Sequence, residues 1–152
     1  MFSRIVKFAE LPTRRKLLFL EAYATLGVMR FALLTISFKR LTQSLQRSNG
    51  TVQTDTPCDE RLRMAEEIGS AIATAAGHTP WESACLVQAL SAGRMLRKRG
   101  IPGKMVLGAM KDKTDGGQIK AHAWVLCGDD VVTGQSGHEN FAVLSVLEWS
   151  GK

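Results

Sequence analysis

The chain has 152 residues, which suits one domain built on a single core, and its 45% hydrophobic and 22% charged content belongs to a globular protein rather than a disordered one. Its net charge of +6 is concentrated at one end: residues 1–50 carry nine Lys or Arg against only Glu10 and Glu21, and the rest is near neutral. Cys58, Cys85 and Cys127, odd in number and irregularly spaced, argue against a disulfide framework and fit a reducing cytoplasm; without a CxxC or HxxxH pair they do not suggest structural zinc either.

The first predicted element is one long helix, or two in tandem, over about residues 12–45. Leu20, Tyr23, Gly27, Phe31, Leu34, Phe38 and Leu41 recur at steps of three and four, which places them on one apolar face expected to pack against the core. Leu18, Leu26, Met29, Leu33 and Ile36 widen that apolar stripe. Glu21 and Arg30 break the stretch into charge-free runs of eight residues, far short of the ~20 needed to cross a bilayer. The expectation is a core helix of a soluble protein, with attachment to a membrane surface possible but not favoured. The basic residues of this third suit an acidic partner or a solvated helix face.

Residues 48–57 have linker chemistry and divide the chain into a basic helical segment, 1–47, and a core, 58–152. Thr56 is an expected N-cap, with Pro57 in the first helical position. Leu62, Ala65, Ile68, Ile72 and Ala75 then give a helix one apolar face, and Gly77 stops it. A third helix ends at Arg99, with Gly100 as its C-cap glycine and Pro102 beyond, and buries Leu86, Ala89, Leu90, Gly93 and Leu96. After Gly103 the pattern shortens to strands at 104–110 and 121–127, with a tight turn at Gly128-Asp129 into 130–133. Residues 142–149 suit a further strand or a helix. Helices first and an antiparallel sheet afterwards indicate an α+β fold.

Two residues stand out chemically. Cys85 lies near the start of the third helix, where unpaired amides and the positive end of the helix dipole favour a thiolate. The start is set either by Thr79-Pro80-Trp81-Glu82, which resembles a capping box, or by Ser83 as N-cap; Ser83 is preferred because it leaves Cys85 in the first turn. His122 sits between alanines in a strand, with room for another group beside its ring. A cysteine on a helix N-terminus paired with a histidine on a strand is the arrangement of cysteine proteases and transglutaminases. His78 and His138 fall in connections and read as exposed. Cys58 and Cys127 read as small apolar fillers, and Trp81 and Trp124 as core or cleft residues. Gly100-Ile101-Pro102-Gly103-Lys104 lacks the spacing of a phosphate loop, so no nucleotide site is expected, and the Arg94, Arg97, Lys98 and Arg99 run reads as a helix end rather than a nucleic-acid patch.

Trp81-Glu82-Ser83-Ala84-Cys85-Leu86, Met95-Leu96-Arg97-Lys98-Arg99-Gly100-Ile101-Pro102, Val106-Leu107-Gly108 and Ala121-His122-Ala123-Trp124-Val125 together resemble the lasso-peptide leader peptidases of the transglutaminase-like superfamily. Phe8-Ala9-Glu10-Leu11-Pro12 and the Leu-rich helix after it resemble the stand-alone form of that family. The resemblance implies a papain/transglutaminase-like core of helices on a small antiparallel sheet. It implies a cysteine peptidase that removes the leader from a ribosomally made precursor peptide, without metal or organic cofactor. The partners it implies are a separate leader-recognition protein and an asparagine-synthetase-like cyclase. Cys85 would be nucleophile, its backbone amide part of the oxyanion hole, and His122 base then acid.

One departure is visible. The family's third catalytic member is an acidic residue on the strand after the histidine, whereas a hairpin turning at Gly128-Asp129 sets Gly134 or Gln135 opposite His122. Gln135 is therefore the candidate to orient the imidazole through its amide, with Glu139 as an alternative source of an acid. Two rival readings stand beside the peptidase: a related amidase or acyl transferase on the same fold, and, because the acid is missing, a degenerate domain that only binds a partner through its basic N-terminal third.

Overall fold

The computed structural model of the chain describes residues 12–46, 58–114 and 116–151. The linker 48–57, the Thr56 cap with Pro57, and the Phe8–Leu11 motif lie outside them. Two helices in tandem open the described chain, α1 (Thr13–Thr35) and α2 (Phe38–Gln46). They part at Ile36, whose backbone is extended. The side chain of Thr35 turns back to the carbonyl of Phe31 at 2.9 Å, and a Thr-Ile-Ser run competes poorly for helix, so the break needs neither glycine nor proline. Next come α3 (Cys58–Ala76), α4 (Cys85–Lys98), β1 (Gly103–Lys111), β2 (Ile119–Cys127), β3 (Asp130–Thr133), one 3-10 turn (His138–Asn140) and β4 (Ala142–Trp149). The last segment is thus a strand. Among the described residues, four helices and a four-stranded antiparallel sheet of order β3-β2-β1-β4 make the expected α+β fold.

The core lies between the sheet and α1, α3 and α4. Leu26, Ile68, Ile72, Leu90, Leu96, Met105 and Val125 are its most enclosed side chains. Helix α4 is the centre: beyond the expected stripe it also buries Val87, Ser91 and Met95, because it is covered by α1, by α3 and by the sheet. Gly69 of α3 rests on β3 so closely that a Cβ there would stand 2.2 Å from the Val132 carbonyl oxygen. The chain reverses at Gly100, where the Ile101 amide returns to the Leu96 carbonyl at 3.0 Å. The Trp149 ring fills the space between Gly93 and Gly103, and its indole N–H donates to the Ile101 carbonyl at 3.0 Å.

Two expectations need correcting. The buried face of α1 is Leu18, Ala22, Thr25, Leu26, Met29 and Ala32, whereas Leu20, Phe31, Leu34 and Phe38 of the expected face are exposed. The helix is apolar on two sides, so periodicity alone could not choose between them. The division at 47/58 is also one of chain, not of packing. Leu18, Ala22, Leu26 and Met29 share a core with α3 and α4, and Glu21 of α1 holds Arg99 through Nη1–Oε1 and Nη2–Oε2 bonds of 3.2 and 2.6 Å, with Lys98 at 3.1 Å.

Candidate active site

Cys85 is the first residue of α4. Its N-cap is Ala84 rather than Ser83, and no side chain caps the helix. Ser83 is otherwise engaged: its hydroxyl meets that of Thr79 at 2.8 Å, and its carbonyl accepts from Gln88 Nε2 at 2.8 Å. The first i→i−4 bond runs from the Gln88 amide to the Ala84 carbonyl at 3.1 Å. The amides of Cys85, Leu86 and Val87 therefore precede the helical ladder and are open to an acceptor. The Cys85 side chain is half-buried against the core. Of the other thiols Cys58 is exposed, while burial, with a smaller effect from Cys58, pushes the Cys127 thiol above its ordinary pKa.

His122 lies in the first half of β2, opposite Gly108 of β1. Ala123, Val125 and Cys127 turn into the helix-packed core, so strand alternation sends His122 and Trp124 to the other face of the sheet. There the imidazole stacks on Trp124, with centroids 5.8 Å apart, and leans on Phe141 at 5.0 Å. His138 of the 3-10 turn packs on Trp124 in turn, at 5.7 Å, so it belongs to this ring cluster and is only partly exposed. Its Nδ1 lies 2.8 Å from the Gln135 carbonyl.

The atom that orients the imidazole is the Gly134 carbonyl oxygen, 2.8 Å from His122 Nε2. A carbonyl can only accept, so Nε2 carries the proton and Nδ1 is left as the basic nitrogen. Gln135 does not make the expected contact: its amide donates to the Val131 carbonyl at 2.8 Å, and the residue lines a hollow with Leu62, Cys127 and Asp130. Glu139 sits beside His138, at 3.7 Å, not beside His122.

The physical cause is a bulge. Leu126 pairs with Val131 but Val125 with Thr133, so one extra residue enters β3 and the ladder ends there. The chain then turns at Gly134, φ +77°, against the backbone of β2. A Cβ at that position would lie 2.6 Å from the Ala123 carbonyl oxygen, which leaves no space for an acidic side chain. Sequence spacing pointed to Gly134 as a neighbour of His122, yet gave no sign that its carbonyl would hold the ring. Nothing in the sequence marked Phe141, which lies just before β4.

The thiol is carried by α4 and the imidazole by β2, which pack on each other through Ala123 and Val125, while His122 lies on the face of β2 that α4 does not cover. No hydrogen bond joins Cys85 to His122 among the described residues. The model of the transglutaminase-like superfamily matches residues 28–146, from the middle of α1 into β4. The chain belongs to this superfamily. Its members carry cysteine-based protease and acyl-transfer chemistry, and the match includes both Cys85 and His122. No curated protein and no solved structure matches the chain. Because the superfamily match begins inside α1, the helix that supplies Leu26 and Met29 to the core is part of the transglutaminase-like domain rather than an appendage.

Proposed function

We propose that this transglutaminase-like domain is a cysteine peptidase in which Cys85 attacks an amide carbonyl and His122 manages the proton. The observation that carries the reading is the pair of preset groups: a cysteine opening α4 with free amides beside it, and a histidine whose Nε2–H is fixed on Gly134 so that Nδ1 is the nitrogen that exchanges protons. Nδ1 takes the thiol proton as the C–S bond forms, and the amides of Cys85 and Leu86 receive the oxyanion. The protonated Nδ1 then gives that proton to the leaving amine, which departs as the C–N bond breaks. Water, deprotonated by the same nitrogen, hydrolyses the thioester. On this reading binding of the amide must bring the two side chains together, because α4 packs on the sheet face opposite to the one that carries His122.

The substrate we propose is the leader-bearing precursor of a lasso peptide. A leader-recognition protein would deliver it, and an asparagine-synthetase-like cyclase would consume the freed amine. The test is cleavage of a leader-bearing precursor, with and without such a recognition protein, followed by mass spectrometry. Cys85→Ala and His122→Ala are expected to abolish cleavage while circular dichroism stays unchanged; turnover by a folded Cys85→Ala protein would overturn the assignment. Gln135→Ala is expected to leave most of the activity, since its amide serves Val131.

A second reading is favoured by one specific observation: among the described residues no acid orients His122, and no bond joins it to Cys85. On that reading the domain binds a partner without turnover. Labelling by iodoacetamide separates the two, because a competent site alkylates Cys85 much faster than exposed Cys58, and His122→Ala removes the difference.

A further inference from the structure

The proposed chemistry leaves one large surface unused. Leu17, Leu20, Val28, Phe31 and Leu34 lie on a single face of α1, with Ala24 between them, and they are 62%, 55%, 53%, 67% and 70% exposed. Ile36 and Phe38 continue the apolar surface past the helix end. From Leu17 to Leu34 the stripe runs about 26 Å at the helical rise. Uncovered apolar surface of this extent marks a contact rather than chance composition.

The surroundings of the stripe are cationic on both sides. Helical spacing places Lys16 and Arg30 along one flank. On the other, Arg94 and Lys98 of α4 share a hollow with Ala24 and Val28. Arg15 stands at the start of α1, and Lys39 and Arg40 are exposed at the start of α2. The one acid between Thr13 and Gln46 is Glu21, and its carboxylate is committed to Arg99 and Lys98.

We infer that this face docks on an anionic membrane surface, with α1 lying in the plane of the headgroups. An apolar stripe with Arg30 on one flank, Arg94 on the other and Arg15, Lys39 and Arg40 near its ends fits that surface: the stripe enters the acyl boundary while these cations reach the lipid phosphates. Contrary to the expectation from its charge-free runs, α1 as a whole is long and apolar enough to cross a bilayer in spite of Glu21 and Arg30. Its other face, Leu18, Ala22, Leu26 and Met29, is packed into the core, so lipid cannot surround the helix while the domain is folded. A second copy, stripe against stripe, would bring two sets of cations together.

The test mixes the full chain with phosphatidylcholine vesicles, with or without a quarter of phosphatidylglycerol, and sediments them. Binding to the anionic vesicles should exceed that to neutral ones by at least about tenfold and weaken in high salt. Phe31→Ser with Leu34→Ser should remove most of it at an unchanged melting temperature, as should Leu20→Ser with Val28→Ser. Val143→Ser with Leu144→Ser, on exposed apolar residues of β4, should leave it intact. Absence of vesicle binding by the unaltered chain, or binding by both α1 variants equal to that of the unaltered chain, would overturn the inference. Self-association in the ultracentrifuge that these variants abolish would assign the face to a second copy instead.

Discussion

Helices α4 and α1 meet in the same core, yet they face opposite conditions. Helix α4 is enclosed on nearly every side, so its apolar residues are accounted for by α1, α3 and the sheet. Helix α1 is apolar on two sides and only one of them is covered. The difference teaches what an apolar stripe means: periodicity reports that a helix has a greasy face, while the neighbours decide which face becomes core. The sharpest way to break this comparison is to cut one leucine from each side of α1. Leu26 is fully buried and Leu34 is 70% exposed. Leu26→Ala should cost about 3 kcal/mol through lost burial and the cavity left behind. Leu34→Ala should cost less than about 0.5 kcal/mol. Urea unfolding of both measures the contrast; equal losses would mean that the uncovered face is also core.

The α4 side of the comparison is sharpened at Gly134. The carbonyl that holds His122 belongs to a residue at positive φ pressed on Ala123 and Trp124. Gly134→Ala must shift the turn away from β2, at a cost of about 2 kcal/mol. The shift also carries the carbonyl off the imidazole. Activity should therefore fall by more than the fraction unfolded explains, and the loss should show in kcat more than in KM. A variant that loses stability but keeps its kcat would make Gly134 a turn residue only.

What was legible in the sequence followed from local rules with one solution. The Gly100 reversal, the Gly128 turn, the α3 face and the place of Cys85 in a first helical turn each rest on a few adjacent residues. What was hidden depended on several elements at once. The covered side of α1 is chosen by α3 and α4. The N-cap fell to Ala84 because Ser83 is engaged by Thr79 and Gln88. The orienting role of Gly134 follows from a bulge between Val125 and Leu126, which side-chain alternation cannot reveal. Gln135 looked like the orienter only because an unbulged hairpin was assumed.

A smaller loss than at Leu26 or Gly134 should come from the group that fixes which way α1 is turned. Glu21 lies on the α4 side of α1, gripped by the fork of Arg99 and by Lys98, and these partners hold its carboxyl below the ordinary carboxylate range. A folded-state pKa below the unfolded one adds stability that is complete above the unfolded value and disappears as pH falls through the folded one. At neutral pH, Glu21→Gln should lose about 1 kcal/mol, because the pair is partly exposed and screened by water and salt. The gap between the two proteins should close as pH drops from about 5 towards 3. Asp112 also sits below its usual range, under its bonds from Lys120 and Thr114, and adds the same trend to both proteins, so it cancels in the difference. Chemical denaturation at a series of pH values gives the curve. A gap that stays constant down to pH 3 would mean that Glu21 acts through packing, and that α1 is oriented by its buried leucines alone.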